Sequence, residues 1–397
     1  MISASEEAWL AREIWIVSNF PPPVHGVSAF NHALSRYLRE SGHTVREYPI
    51  GTRGALSSLE HFGIGKVGND LLTLARVSGS AATRLVAKGN ETTIYFTPSQ
   101  IGISVFRDFL TVLASFPIRP RIVAHLHGCR WLDTWAQGGL IAKTMHATLA
   151  SCDRVIVLGS SYAKRMRVEA GLSNVVGIDN GVTVASDPSS RFVARSVSDV
   201  PRLLFISNYL RAKGVWVVVA AARALKERGV RFHMTLAGEW YLASERTEFY
   251  EEWGTWLQQA NDCVEILPFA DADRKRELLE SSTIFMLPTL NPCEGQPLSL
   301  IEAMAYGLVP LTTPNGGIPD LFDFENSASM CRTEHETGKG LADTIQYLIE
   351  NPSQLAEWSR QAHAKQQRDL TFERCANLVT AELLGPPSLR VDQLSSR

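Results

Sequence analysis

The strongest indication of the fold is a pattern that occurs near the start of this 397-residue chain and again in its second half. Residues 13–18 form a short apolar segment, and residues 28–41 carry apolar side chains at helical spacing. A second strand is predicted from Thr44, so the order is strand, helix, strand, the βαβ unit of a parallel sheet. The same order recurs over residues 202–236. The sequence therefore predicts an α/β protein with two nucleotide-fold domains.

The length also favours two domains, because 397 residues exceed one comfortable hydrophobic core. The segment 182–201 is polar and turn-rich, and we interpret it as the linker. We predict an N-terminal nucleotide-fold domain over 1–190 and a C-terminal nucleotide-fold domain over 191–370. A C-terminal helix over 371–386 is expected to pack back on the N-terminal domain, and 387–397 form a tail.

Composition excludes several classes of protein. No apolar run approaches the ~20 residues that a membrane-spanning helix requires, and residues 1–12 lack the basic start of a signal peptide, so a cytoplasmic location is expected. The six cysteines include no C-x-x-C pair, which argues against a disulfide framework or a zinc site. No basic run is interleaved with aromatic residues, so nucleic acid is not an expected partner.

The charge is unevenly distributed between the two halves of the chain. Residues 1–190 contain 18 Lys and Arg against 14 Asp and Glu, a net charge of +4, and the remainder carries −6. Lys164, Arg165 and Arg167 are clustered in the first half. One interpretation is a peripheral contact with the anionic inner face of the cytoplasmic membrane, and the alternative is a solvated helix face.

Two glutamates in the second half follow a predicted strand over 283–287. Glu294 lies in the loop after this strand, at the edge of the sheet where open α/β folds bind ligands. Pro297 suits the first turn of the next helix, which carries Glu302. Free backbone amides at the start of a helix can hold a diphosphate, and a carboxylate can accept both hydroxyls of a ribose.

Two further features place polar side chains at strand ends. Lys213 follows the first strand of the second domain, at the start of a helix. One interpretation is a solvated lysine, which is unfavourable beside the positive end of the helix dipole, and the other is a lysine beside a bound phosphate, which removes that objection. His125 and His127 follow a strand that begins at Arg121, and alternation points both imidazoles to one face. Such a pair can bind a metal, but no third ligand is evident at a suitable spacing.

These ordered motifs resemble family four of the retaining glycosyltransferases, from Ile14 to about Leu384. The resemblance implies the GT-B fold, two Rossmann-like domains facing each other across a cleft. It implies that the N-terminal domain, 1–190, lies on the acceptor side and that the C-terminal domain, 191–370, binds the nucleotide sugar. It also implies that Glu294 contacts the donor sugar and Glu302 the ribose. His127 matches the family's histidine near the donor sugar, which leaves His125 either a packing role or an indirect role in supporting that site.

The remaining site residues are also implied by the resemblance. Gly26 matches the second glycine of a Gly-Gly pair, with His25 in the first position. The family has an arginine where this chain has Asn208, and Arg211 could replace it. The predicted catalytic residues are Glu294, Lys213 and His127, and the predicted donor-binding residues are Gly26, Asn208, Arg211, Gly295, Gln296, Pro297, Leu298 and Glu302.

The expected function is transfer of a sugar, with retention, from a nucleoside-diphosphate sugar to a glycan or lipid-linked acceptor in bacterial polysaccharide or glycolipid synthesis. No cofactor and no metal are expected. The alternatives are another GT-B enzyme, such as a sugar-nucleotide epimerase or a phosphorylase, and a non-catalytic protein that binds nucleotide sugars.

Overall fold

A computed structural model gives the structure of residues 13–22, 26–50, 75–80, 92–100, 102, 104–118, 120–183, 194–195, 200–268 and 271–385. The described residues fall into two compact units. Unit 1 takes those of Met1–Ile178 and Cys375–Arg397, and unit 2 takes those of Asp179–Arg374. The predicted linker lies largely outside the described residues, as do His25 and the predicted tail.

The described part of unit 1 is built on a six-stranded sheet in the order β2-β1-β3-β4-β5-β6, with every neighbouring pair parallel. The central strands β1, β3 and β4 are buried along their whole length, as expected of a parallel sheet covered on both faces. The order reverses between β1 and β3, so the loops after these strands diverge there. The strands are β1 Glu13–Ser18, β2 Thr44–Pro49, β3 Thr92–Phe96, β4 Arg121–Leu126, β5 Arg154–Val157 and β6 Val175–Gly177.

Helices cover this sheet and pack their apolar stripes against it. In the first helix, Phe30, Leu34 and Leu38 are buried at spacings of four, while the exposed side is charged. The helices are α1 Gly26–Glu40, α2 Ser104–Ser115, α3 Trp131–Gln137, α4 Gly139–Ala150 and α5 Ser160–Ala170.

One further helix, α13 Phe372–Leu384, comes from the end of the chain and contacts the strands of unit 1. Thr93 Oγ1 donates to Leu383 O at 3.1 Å, and Arg121 Nε donates to Glu382 O at 2.8 Å. Arg154 Nε forms an ion pair with Glu382 Oε2 at 3.0 Å. Unit 1 is thus assembled from two segments that are far apart in sequence.

Unit 2 contains a five-stranded parallel sheet in the order β11-β10-β7-β8-β9. This is the order of a Rossmann fold, with its switch point between β7 and β10. Apart from the exposed Arg202, β7 is buried, and β10 and β11 are buried throughout. The strands are β7 Arg202–Ile206, β8 His233–Ala237, β9 Val264–Leu267, β10 Ile284–Leu287 and β11 Val309–Thr312.

The helices of unit 2 lie mostly between consecutive strands or after the last one. They are α6 Val215–Glu227, α7 Ala243–Gln259, α8 Ala272–Ser281, α9 Leu298–Ala305, α10 Ser327–Met330, α11 Gly338–Glu350 and α12 Pro352–Asp369. The predicted fold class, α/β with two Rossmann-like parallel sheets, is confirmed. Predicted strand and helix ends differ from the observed ones by one or two residues, the range over which hydrogen bonding at element ends is weakest.

Candidate functional site

The loops after β7 and β10 run side by side at the switch point of unit 2. Leu290 N donates to Ala212 O at 2.8 Å, and Thr289 Oγ1 lies 3.0 Å from the same oxygen. Gly214 has φ +84°, and a Cβ there would lie 2.1 Å from Pro288 O. Only glycine therefore permits this approach of the two loops.

This approach brings Lys213 and Glu294 together. Lys213 Nζ lies 2.7 Å from each carboxylate oxygen of Glu294. Thr289 Oγ1, itself fully buried, lies 3.1 Å from Glu294 Oε2. The Glu294 side chain is 8% exposed and that of Lys213 is 24% exposed, so the ammonium is the more accessible of the two charges. A carboxylate so buried requires these hydrogen bonds to offset its lost hydration.

Gly316 and Gly317, in the loop after β11, hold the backbone of Glu294. Gly317 N donates to Glu294 O at 2.9 Å. Gly316 adopts φ +61°, and a Cβ at this position would lie 1.8 Å from that carbonyl oxygen. These two glycines therefore fix the position of the Glu294 backbone.

Gln296 is tied to the first residues of unit 2. Its Oε1 accepts from Asn180 N at 2.7 Å, and its Nε2 donates to Asp179 Oδ1 at 2.6 Å. Asn180 Nδ2 donates to Gln296 O at 2.9 Å. The Gln296 side chain could contact a nucleotide sugar only by giving up one of these hydrogen bonds.

Arg211 is directed to α7. Its guanidinium carbon lies 4.2 Å from the centre of the Trp216 ring, and Nη2 is 3.5 Å from Glu248 and 3.9 Å from Glu252. Asn208 occupies the position of the family's arginine, and Arg211 could take over that role only by leaving this cation–π contact. Such a contact is worth ~0.5–1 kcal/mol at an exposed site.

Helix α9 begins one residue later than predicted. Pro297 has ψ 124° and is the N-cap, so the first helical residue is Leu298. Glu302 lies in the next turn, and its Oε1 pairs with Lys275 Nζ at 2.6 Å. Lys275 is therefore a candidate donor-site residue that the sequence did not indicate, because in α8 it lies among charged residues typical of a solvent-exposed helix face.

The two histidines of unit 1 contact each other at the end of β4, with their ring planes tilted by 31°. The ring centroids of His125 and His127 are 4.0 Å apart, and Phe30 contacts both with its edge. Burial, with a smaller effect of His127, holds the pKa of His125 well below its usual value of 6.5. His127 is half-buried, and Gly26 begins α1 in an exposed position.

Comparison with known proteins relates most of the second unit to a known family. Residues 186–365 match the family described as glycosyl transferases group 1. By this match the region is similar to the group 1 glycosyl transferases. Lys213, Glu294, Gln296 and Glu302 lie inside the matched region, whereas His127 lies before it.

The curated relatives of this chain include glycosyltransferases named for amylovoran and colanic acid biosynthesis. The chain is 29% identical over 126 residues to the amylovoran biosynthesis glycosyltransferase AmsK of Erwinia amylovora, across 31% of this chain and 30% of that one. It is 25% identical over 187 residues to the putative colanic acid biosynthesis glycosyltransferase WcaL of Escherichia coli, across 46% and 44%. The putative glycosyltransferase EpsF of Bacillus subtilis is 27% identical over 213 residues, across 49% and 51%. The matches span about half or less of the length of these relatives.

Solved structures share the glycosyltransferase fold over nearly the whole chain. Sucrose-phosphate synthase from Thermosynechococcus elongatus superposes with a TM-score of 0.68 at 16% identity, covering 93% of this chain and 97% of that one. Anabaena HepE in complex with UDP-glucose gives a TM-score of 0.65 at 16% identity, covering 94% and 99%. At such identity the likeness shows the fold alone. Among the described helices, none is long and apolar enough to span a bilayer.

Proposed function

We propose that this protein is a retaining glycosyltransferase that moves a sugar from a nucleoside-diphosphate sugar to a glycan or lipid-linked acceptor. The observation that carries the proposal is the Lys213–Glu294 pair at the switch point of unit 2. A cation and a buried carboxylate at this edge suit a ligand that is anionic at one end and rich in hydroxyls at the other.

Each polar group then has a role in holding the donor. Lys213 turns from Glu294 to the diphosphate, where its charge opposes the negative charge that grows on the leaving group. Glu294, released from Lys213, accepts hydrogen bonds from sugar hydroxyls. Glu302 accepts from the ribose, while the backbone amides that begin α9 face the diphosphate.

The chemical step needs no protein base. The bond between the anomeric carbon and the phosphate oxygen breaks, and the nucleoside diphosphate departs with the electron pair. The acceptor hydroxyl oxygen bonds to the anomeric carbon on the face that the diphosphate leaves, and its proton passes to a phosphate oxygen. His127 donates a hydrogen bond to the donor sugar, and Gly26 leaves room for the backbone to approach it.

The biological setting is proposed from the relatives. Amylovoran and colanic acid biosynthesis appear in their names, so we propose that this chain acts in the assembly of a bacterial polysaccharide or glycolipid. The proposed location is the cytoplasm, with peripheral contact at the inner face of the membrane.

A thermal-shift panel tests the donor site. Binding to the folded state alone raises the melting temperature by mass action, so UDP, GDP and ADP and their sugars should separate into stabilising and neutral compounds. We expect at least one nucleoside diphosphate to stabilise wild type and to lose its effect in the Lys213→Ala variant. If no nucleotide in the panel stabilises wild type, the donor assignment is wrong.

Product analysis then separates the alternatives. Incubation of the stabilising donor with a bacterial glycolipid extract should give a glycoside whose anomeric proton coupling matches that of the donor. Formation of an epimeric nucleotide sugar would identify an epimerase, and phosphate-dependent release of sugar 1-phosphate would identify a phosphorylase. Tight donor binding without turnover would indicate a binding protein.

A further inference from the structure

Beneath the two histidines of unit 1 lies a chain of buried side-chain hydrogen bonds that the proposed mechanism does not use. His125 Nδ1 lies 2.9 Å from Tyr95 Oη, and Tyr95 Oη lies 3.1 Å from Asn31 Oδ1. Asn31 Nδ2 contacts Ser18 Oγ at 2.5 Å, and Ser18 Oγ contacts Thr97 Oγ1. Ser18, Asn31 and Tyr95 are 0% exposed and His125 is 1% exposed.

Asn31 determines which groups donate and which accept in this series of hydrogen bonds. Asn31 Nδ2 also lies 3.3 Å from the backbone oxygen of Asn19, which can only accept. The amide nitrogen must therefore face Asn19 and Ser18, so Oδ1 faces Tyr95. An amide oxygen only accepts, and the Tyr95 hydroxyl donates its single hydrogen to it.

The proton of His125 follows from this direction. With its hydrogen given to Asn31, the Tyr95 oxygen can only accept from His125, so Nδ1 carries the imidazole proton. Among the described residues, His125 Nε2 is buried without a hydrogen-bond partner. Unpaired buried N–H groups are rarer in proteins than unpaired buried acceptors. The lack of a partner therefore favours an unprotonated Nε2 over a protonated one. Burial keeps the pKa of Tyr95 well above 10, so the hydroxyl stays a donor.

We propose that His125 is a positioning residue for His127, fixed by Asn31 and Tyr95 as the neutral Nδ1–H tautomer. Its ring then gives His127 a flat, uncharged surface at a centroid distance of 4.0 Å. A charged ring at that distance would oppose any positive charge on His127. The effect of His127 on a donor sugar rests on the proposed function, whereas the tautomer of His125 does not.

Nitrogen-15 NMR of the full-length protein, labelled at histidine, tests the proposal without a ligand. The His125 and His127 signals are assigned by their loss in His125→Asn and His127→Asn variants. In wild type, we expect the protonated nitrogen of His125 to be Nδ1 and the unprotonated one to be Nε2. A wild-type spectrum with the proton on Nε2, or with both positions in exchange, overturns the proposal even if donor binding is established.

Two variants and a control test the roles of Asn31 and Tyr95. Asn31→Ala removes the acceptor of the tyrosine hydroxyl, so this hydroxyl turns to His125 Nδ1 and the proton moves to Nε2. Tyr95→Phe removes the fixed partner, so the two tautomers exchange and the His127 signals shift. Tyr162→Phe is the control, because Tyr162 is also buried and its hydroxyl donates to Cys129 O at 2.8 Å, outside this series of hydrogen bonds.

The outcomes separate the tautomer from its effect on His127. An unchanged His125 tautomer in both variants shows that Asn31 and Tyr95 do not set it, and the proposal fails. A changed His125 with unmoved His127 signals shows that His125 does not position its neighbour, which also overturns the proposal. If one variant is insoluble, the other and the wild-type spectrum still decide.

Discussion

Lys213 Nζ lies 2.7 Å from both carboxylate oxygens of Glu294, although the two residues belong to loops after different strands. The opposite charges of the two side chains compensate each other in this ion pair. An arriving diphosphate competes with Glu294 for the ammonium, and sugar hydroxyls compete with the ammonium for the carboxylate. The pair thus exchanges one set of charge-assisted hydrogen bonds for another when the proposed donor binds.

Lys213→Ala should reduce turnover more than it weakens donor binding. Negative charge on the diphosphate is greater in the transition state than in the bound donor, so the ammonium stabilises the transition state more strongly. We expect kcat to fall by about a hundredfold or more, the range found on loss of one transition-state donor. Steady-state kinetics measure this, with Lys226→Ala as the control, because Lys226 is a partly exposed residue of α6 that pairs with Asp262 instead of Glu294. A variant changed in KM alone would show that Lys213 binds but does not catalyse.

Glu302→Ala should weaken nucleotide binding. A hydrogen bond to a charged acceptor contributes ~1.5–3 kcal/mol, so the Kd for the stabilising nucleoside diphosphate should rise by roughly tenfold or more. Titration calorimetry measures the change, and Glu277→Ala on the exposed face of α8 provides the control. An unchanged Kd would reject the ribose role.

Gly316→Ala should destabilise unit 2 and disturb the Glu294 loop. Gly316 has φ +61° and its Cβ would meet Glu294 O at 1.8 Å, whereas Gly229 has φ +72° with nothing within 4 Å. Gly229→Ala therefore carries only the left-handed backbone cost of roughly 1–2 kcal/mol. Melting temperature and donor affinity should both fall further for Gly316→Ala, and equal effects of the two substitutions would contradict the close approach.

Activity should survive a chelator. The proposed diphosphate ligands are Lys213 and backbone amides, which supply positive charge without a metal. Assays with and without EDTA measure this. Complete inhibition that added Mg²⁺ or Mn²⁺ reverses would show that a metal holds the diphosphate.

Weak, salt-sensitive binding to anionic vesicles is expected if the Lys164, Arg165 and Arg167 cluster faces the membrane. Each basic residue near such a surface contributes ~1 kcal/mol. Arg165 pairs with Glu169 at 2.7 Å, which reduces the net charge that the cluster presents. Wild type should pellet with vesicles at low salt only.

Paired variants test whether this cluster is responsible. The Lys/Arg→Ser triple variant of the cluster should stay in the supernatant, while the control with Ser at Arg223, Arg274 and Arg276 should pellet like wild type. If wild type never pellets, a soluble acceptor, or one presented by a membrane partner, is favoured.

Much of the donor-side geometry could be predicted because it depends on strand ends. Lys213 and Glu294 each follow a buried parallel strand, and the carboxyl ends of such strands share one edge. The pairing of Lys275 with Glu302 could not be predicted, because it depends on how far α8 lies from α9 and how it is rotated. The same holds for Asn31 and Tyr95, which are 64 residues apart and meet only through the order of the strands in unit 1.

Helix α13 has a consequence for the order in which the protein can be built. Its contacts with Thr93, Arg121 and Arg154 belong to unit 1, yet all but its first three residues are synthesised after every residue of unit 2. N-terminal domains usually fold first on the ribosome. Here the second unit is fully synthesised while the first still waits for its last helix, so a nascent chain ending at Arg374 holds one finished unit and one with the backbone acceptors of Thr93 and Arg121 still missing.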